Sequence, residues 1–317
     1  MTGPGASGAI VCRSVSRVFG KLEALKDISF EVEKGELFGL VGPDGAGKTT
    51  MMRILASILK PTSGEAFVAG CHTVKEAALV QDRTGYMSQR FGLYPDLTVE
   101  ENLGFYADIY SVSKPDREAR QKRFLEFSGL APFLKRRAGN LSGGMKQKLG
   151  LCCALIHTPE VLLLDEPTNG VDPVSRRDFW KILYGLLGEG VAIFVSTSYL
   201  DEAERCGKLA LLNKGSILAL GTPDEVKKLL GHDILEVIAE PDREAAAALK
   251  ASAESSGFSS VILFGDRIHV ASDDMAASRA EVKKILERKN IRIISTRVVG
   301  PSIEDVFVEA VRGEKGQ

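Results

Sequence analysis

The chain is poor in the residues that mark secreted, membrane-spanning and nucleic-acid-binding proteins. Its 317 residues include 5 cysteines (Cys12, Cys71, Cys152, Cys153 and Cys206). They are odd in number and lack CxxC spacing, which excludes a disulfide framework or a thiolate metal site and predicts reduced thiols in a cytosolic protein. The adjacent pair Cys152-Cys153 reads as helix packing rather than redox chemistry. Net charge is −1, with 41 basic and 42 acidic residues, so there is no electrostatic pull toward nucleic acid or an anionic membrane surface. The longest apolar runs, at 161–164, 191–195 and 209–212, fall far short of the ~18–20 residues that cross a bilayer. A role at a membrane would therefore need another chain to span it. The opening MTGPGASGA has neither a basic n-region nor an apolar h-region and reads as a flexible tail over residues 1–9, not a signal peptide. The 4 histidines (His72, His157, His232 and His269) are scattered and read as structural or solvated.

What is present suffices for large cores: 44% hydrophobic and 26% charged residues, over a length that suggests two domains. Residues 10–33 alternate about a turn at Gly20, as in a β-hairpin, and 36–41 form a short apolar strand. A Gly-rich loop follows, then a helix expected over 48–60 from the spacing of Met51, Ile54, Leu55, Ile58 and Leu59. From about 91 to 151 the pattern is helical, with a capping box at Thr98–Glu101 and a charged amphipathic helix from Lys114. Strand signals return at 161–164 and 192–196 around a helix near 176–187, the rhythm of a mostly parallel sheet. A second capping box opens at Thr222. Beyond His232 the order becomes βαββαβ, closed by a short helix with Ser302 as N-cap. That is a ferredoxin-like α+β unit. The expected division is a first domain over 10–232, with its helical part at about 91–151, and an accessory domain over 233–317.

Two motifs carry chemistry. Gly42-Pro43-Asp44-Gly45-Ala46-Gly47-Lys48-Thr49 fits GxxxxGK[ST] between a strand and a helix, followed by Thr50. Its glycines let backbone N–H groups face phosphate oxygens, Lys48 reaches the β- and γ-phosphates, and the Thr49 hydroxyl ligates Mg²⁺. The apolar run 161–164 ends in Asp165-Glu166. A buried strand delivers such acids to the carboxyl edge of the sheet, where ligands of open α/β folds bind. Asp165 would hold Mg²⁺ through water, and Glu166 would orient the attacking water.

A third run, Leu141-Ser142-Gly143-Gly144-Met145-Lys146-Gln147, opens a helix whose N-terminus suits an anion. With one phosphate loop already in the chain, that anion would belong to another chain's nucleotide; locally this is suggestive only. LSGGMKQ stands about twenty residues before LLLDEP. With it the sequence resembles the ATPase subunits of ABC transporters over about residues 10–225. The resemblance implies an α/β P-loop NTPase with a mostly parallel core sheet, an antiparallel β subdomain and a helical subdomain. It also implies that ATP and Mg²⁺ lie between two subunits, the Ser142-Gly143-Gly144 segment of one closing on the ATP held by Lys48 of the other. By the same resemblance, Phe19 corresponds to the aromatic that stacks on adenine. Gln89 corresponds to the glutamine that senses Mg²⁺ and the permease, and Asp172 lies in the dimer-contact loop.

One position departs from the family pattern. Where a histidine is expected in STHxxDEA, this chain reads Ser196-Thr197-Ser198-Tyr199-Leu200-Asp201-Glu202-Ala203, so Ser198 occupies the switch position. ATP binding should survive and hydrolysis at this chain's own site should weaken. This favours a heterodimer with a second ABC ATPase over a homodimer. The closing Pro301-Ser302-Ile303-Glu304-Asp305-Val306-Phe307-Val308 resembles the tail of bacterial drug and antibiotic export ATPases. That implies a separate transmembrane permease as partner and a place on the inner face of the plasma membrane. Two other readings stand beside this one. A non-transport ABC ATPase would carry two ATPase domains or long coiled-coil inserts, neither of which is present. An ATP-bound scaffold with little hydrolysis is favoured by Ser198 and opposed by Glu166.

Overall fold

The computed structural model describes residues 8–89 and 92–315, with side chains to Arg312. The chain divides into two compact units, one ending at Leu220 and the other beginning at Gly221.

In the first unit the chain opens with β1 (Ile10–Phe19), β2 (Leu22–Val32), β3 (Leu37–Val41) and α1 (Lys48–Leu55). It continues through β4 (Ser63–Val68), β5 (Cys71–His72), α2 (Ala77–Arg83) and β6 (Thr84–Met87). A helical stretch follows: α3 (Val99–Ile109), α4 (Lys114–Ser128) and α5 (Gly143–Leu155). Then come β7 (Val161–Asp165), α6 (Pro173–Leu187), β8 (Ala192–Thr197), α7 (Leu200–Ala203), β9 (Lys208–Asn213) and β10 (Ser216–Gly221). An antiparallel sheet runs in the order β2-β1-β4-β5, and a six-stranded sheet in the order β10-β9-β3-β8-β7-β6. In the latter, β6, β7, β8, β3 and β9 pair in parallel. All five residues of β3 and of β7 are buried, as parallel strands covered on both faces require. Phe30 of the antiparallel sheet stacks on Phe38 and Phe194 of the parallel one, with ring centroids 5.1 and 5.4 Å away. One apolar core thus joins the two sheets, while a second binds α3, α4, α5 and α6 to the other side of the parallel sheet.

The antiparallel subdomain, parallel core and helical subdomain follow the sequence expectation, with three differences in extent. Helix α1 stops at Leu55 rather than residue 60: Ser57 is left-handed (φ 58) and the amides of Ile58 and Leu59 both turn back to the Arg53 carbonyl. The helical spacing persisted because Leu59 still packs on the core while Ile58 is exposed. Of the predicted tail, residues 1–7 lie outside the described residues, but Gly8 and Ala9 are buried and the Ala9 carbonyl accepts from the Ala69 amide. Phe91, where the helical stretch was expected to begin, also lies outside the described residues; the first helix there is α3, started by the predicted Thr98–Glu101 capping box.

The second unit contains α8 (Pro223–Lys228), β11 (Ile234–Glu240), α9 (Asp242–Ala251) and α10 (Ala253–Ser256). It goes on through β12 (Ser260–Phe264), β13 (Arg267–Ala271), α11 (Met275–Arg288), β14 (Arg292–Val299) and α12 (Ile303–Lys315). Its sheet order is β12-β13-β11-β14, with antiparallel pairing throughout, the arrangement expected of a split βαβ. The first helix expected in the βαββαβ order is broken at Ser252 into α9 and α10. The division falls before α8, not near 232, because α8 packs on α12 of the same unit. Its sheet carries a buried ionic group. Glu236 accepts from Arg267 at 3.1 Å and Arg297 at 2.6 Å, and His269 Nδ1 lies 2.9 Å from Asp305 of α12. Among the described residues no helix is long and apolar enough to cross a membrane, and all five cysteines are buried and free.

Candidate functional site

Parallel strands put their carboxyl ends on one edge, and every predicted chemical group of the first unit except Phe19 and the Ser142 segment follows such an end. The loop 42–47 follows β3, Gln89 follows β6, Asp165 and Glu166 end β7, and Ser198 follows β8. Two glycines of the loop are fixed by contact. A Cβ on Gly42 would lie 2.1 Å from the Leu212 carbonyl, and one on Gly47 (φ 115) would lie 2.6 Å from the Ala24 carbonyl. Gly47 is also the N-cap of α1 and supplies no side-chain cap, leaving the helix N-terminus available to an anion. The loop opens on a cleft of about 870 Å³ lined by Phe19, Asp44, Gly45, Gly47, Lys48, Thr49, Thr50, Gln89, Glu166 and Asn169.

Lys48 is 4% exposed and its Nζ has three partners: the carbonyls of Gly42 at 2.8 Å and Pro43 at 3.1 Å, and Glu166 Oε1 at 3.0 Å. The other oxygen of Glu166 accepts from Gln89 Nε2 at 2.9 Å and Asn169 Nδ2 at 3.2 Å. Glu166 sits in the left-handed region (φ 49), a strained conformation for a side chain of this size. Its amide is held by the carbonyl and hydroxyl of Ser196, each at 3.1 Å.

Asp165 Oδ1 accepts from Ser196 at 2.6 Å and Thr49 at 3.3 Å, while Oδ2 is buried without a hydrogen-bond partner. Burial raises the Asp165 carboxyl above the ordinary aspartate range, against the hydrogen bonds of Ser196 and Thr49. A buried, unpaired carboxylate oxygen is costly unless something cationic completes it. Thr49 Oγ1 lies beside it and the Gln89 side chain lines the same cleft, giving a hard-oxygen donor set that fits Mg²⁺.

Of the remaining expected residues, Phe19 reaches the cleft and the others lie outside its lining. Phe19 ends β1 on the cleft wall, 43% exposed, with the Arg17 guanidinium 4.4 Å from its ring centroid. Ser142 caps α5 by accepting from the Met145 amide at 3.3 Å. None of Ser142, Gly143 and Gly144 lines this chain's own cleft; instead Gly144 abuts Ser175 of α6. Asp172 caps α6 through the amides of Val174 and Ser175. Ser198 is half-buried and is not among the cleft-lining residues.

Sequence reasoning missed three side chains that organise the site. Ser196, which braces both acids, was readable as a polar residue inside a buried apolar strand. Asn169 follows Glu166 by three residues in a turn closed by the bond from its amide to the Glu166 carbonyl. Glu202, wholly buried, accepts from Thr168, Trp180 and Thr197; the sequence marks it only as the second acid of the run that follows Ser198, with no sign of its partners.

Comparison with known proteins places this geometry. Residues 25–169 match the family described as ABC transporter, and residues 221–311 the family described as ATP-binding protein DrrA1-3-like, C-terminal domain. The chain is 54% identical over 200 residues to the probable multidrug ABC transporter ATP-binding protein YbhF of Escherichia coli, covering 63% of this chain and 35% of that one. It therefore spans about a third of that relative's length. It is 33% identical over 306 residues to the doxorubicin resistance ATP-binding protein DrrA of Mycobacterium tuberculosis, covering 95% of this chain and 92% of that one. A dimeric ATP-binding cassette solved in a post-hydrolysis state with ADP and Pi superposes with a TM-score of 0.61 at 26% identity, over 67% of this chain and 98% of that one. With that DrrA aligned over nearly the whole of both chains and the two family matches lying in its two units, the chain belongs to the ATP-binding proteins of ABC transporters.

Proposed function

We propose that the chain binds Mg-ATP in the cleft above β3 and hydrolyses it as one of two ATP-binding subunits that drive export through a separate permease at the inner face of the plasma membrane. The observation that carries this reading is the convergence of Lys48, Thr49, Asp165, Glu166 and Gln89 on one sheet edge, with Ser142 not among the residues that line the cleft. In this reading the loop amides and Lys48 bind the β- and γ-phosphates, and Phe19 stacks on adenine. Thr49, Asp165 and Gln89 hold Mg²⁺, which would neutralise phosphate charge. Glu166, held by Gln89 and Asn169, orients the attacking water and accepts its proton.

The Ser142-Gly143-Gly144 segment serves a second cassette's nucleotide, in line with the solved relative's dimeric form. The names of the relatives, multidrug and doxorubicin resistance, support export of a drug-like or antibiotic-like cargo. Ser198 supports a heterodimer in which this chain's own site turns over slowly while its Ser142-Gly143-Gly144 segment completes a faster site on the partner. A homodimer is the alternative. Ser198 also favours a second reading, an ATP-bound scaffold with little hydrolysis.

The test is nucleotide-linked stability together with ATPase rate. A ligand at 100 times its Kd stabilises by about 2.7 kcal/mol. Mg-ATP should raise the Tm of the wild type, and Lys48→Ala should abolish that rise. Glu166→Gln should retain the rise and slow turnover by roughly 10²- to 10⁴-fold. Nucleotide stabilisation that survives Lys48→Ala would refute the site.

A further inference from the structure

The carboxylate of Glu202 is wholly buried in α7 and joins three segments of the first unit. Its Oε1 accepts from Thr168 Oγ1 at 2.7 Å and Trp180 Nε1 at 3.1 Å, and its Oε2 from Thr197 Oγ1 at 2.7 Å. Arg176 Nε lies 3.7 Å from Oε1, and its guanidinium stacks 4.1 Å from the Tyr199 ring centroid. A buried charge is tolerated only when paired and hydrogen-bonded, and here the donors meet that need from three directions.

Thr168 stands two residues beyond Glu166, in the loop that runs to Asp172, the cap of α6. Thr197 ends β8, between Ser196, which bonds Asp165, and Ser198. Trp180 and Arg176 lie on α6, whose Ser175 abuts Gly144 of the signature helix. One side chain therefore ties both strand ends that carry the acids and Ser198 to the loop and helix beside Ser142.

We propose that Glu202 is a positioning residue: it fixes the loop 166–172 against the exit of β8 and so transmits the state of the partner-facing loop to the orientation of Glu166. The proposal rests on the hydrolytic reading above. It deepens that reading by naming the element that couples the two sides of the dimer. Trp180 is the sole tryptophan of the chain, so its emission reports directly on the clamp.

The experiment compares wild type, Glu202→Gln, Thr168→Val and Thr168→Ser, reading kcat and the KM for ATP in the assembled transporter and the Trp180 emission of the purified full chain on addition of Mg-ATP. In Glu202→Gln the Oε1 acceptor for Trp180 is kept and the hydroxyl of Thr197 reverses its role, so the packing is conserved while the charge is lost. Hydrogen bonds to a charged group are worth roughly tenfold or more in rate when expressed in the transition state. The kcat should fall by at least about tenfold in Glu202→Gln and Thr168→Val at unchanged KM, and Thr168→Ser should restore it. ATP should change Trp180 emission in the wild type and not in Glu202→Gln. Should Glu202→Gln fail to fold, the Thr168 pair decides. Wild-type kcat in a folded Glu202→Gln or in Thr168→Val overturns the clamp. A wild type that neither binds nor hydrolyses ATP overturns the underlying reading instead.

Discussion

Replacing Ser198 by histidine is the sharpest perturbation of the proposed chemistry. Residue 198 leaves β8 directly after Ser196 and Thr197, which are held by Asp165 and Glu202 at 2.6 and 2.7 Å, so the backbone there is anchored on both faces. Serine carries its hydroxyl one atom beyond Cβ and does not line the cleft, whereas an imidazole from the same Cα extends much farther. A hydrogen bond to a charged phosphate oxygen is worth roughly 1.5–3 kcal/mol. At about 1.4 kcal/mol per factor of ten, Ser198→His should raise kcat at this chain's site by roughly 10- to 150-fold. The KM for ATP should hardly move, because the loop and Lys48 are untouched. In the proposed heterodimer, the assay is steady-state phosphate release with the second ATPase subunit's catalytic glutamate neutralised, so that only this site turns over. An unchanged kcat in a correctly folded variant would refute the idea that Ser198 limits hydrolysis here.

Other consequences are equally open to measurement. Asp165→Asn removes a carboxylate that burial holds above its ordinary range; the variant should melt higher than wild type without nucleotide and lose the stabilisation given by Mg-ATP. In the second unit, burial pushes the His269 imidazole down, but its hydrogen bond to Asp305 and the charges of Asp305 and Glu236 outweigh that and hold it above the ordinary histidine range. Burial of Asp305 is likewise outweighed by the bonds from His269 and Ser302, which leave its carboxyl low. The His269 contribution is complete below about pH 6.5 and is lost as pH rises through the elevated folded value. That of Asp305 is complete above about pH 3.9 and is lost as pH falls through the depressed folded value. Hydrogen-exchange protection of α12, corrected for intrinsic rates, should therefore fall in the wild type as pH rises from about 6.5 through the elevated value of His269; a profile of the same slope in His269→Gln would contradict this. Leu249→Ala, which empties a fully buried site on α9, should cost about 2–5 kcal/mol in denaturant unfolding of the second unit and leave nucleotide binding intact.

Motifs whose residues act through their neighbours in sequence were readable in advance. The loop 42–49 had to follow a strand and open a helix, and both capping boxes formed as written because Thr98 and Thr222 each reach an amide only three residues away. The βαββαβ order of the second unit followed from alternation and turn spacing. Boundaries were less legible. The apolar spacing through Leu59 could not reveal the left-handed Ser57 that ends α1, nor could local pattern show that α8 packs with α12. What escaped altogether were contacts between residues distant in sequence. Ser196 serves Asp165 from 31 residues away and Glu202 gathers Thr168 from 34, distances closed only by the parallel pairing of β7 with β8.

The crowding at Lys48 has a consequence for timing. An ammonium has three hydrogens to give, and here two backbone carbonyls and Glu166 take them all. In the function proposed above, an incoming triphosphate would have to win that cation from its present holders, and the acid it displaces is the one that would steer water. On that reading substrate arrival and arming of the base would be a single event: a cassette that has not yet engaged its fuel would keep its acid tied down, and idle turnover would be suppressed by the same contact that a nucleotide dissolves.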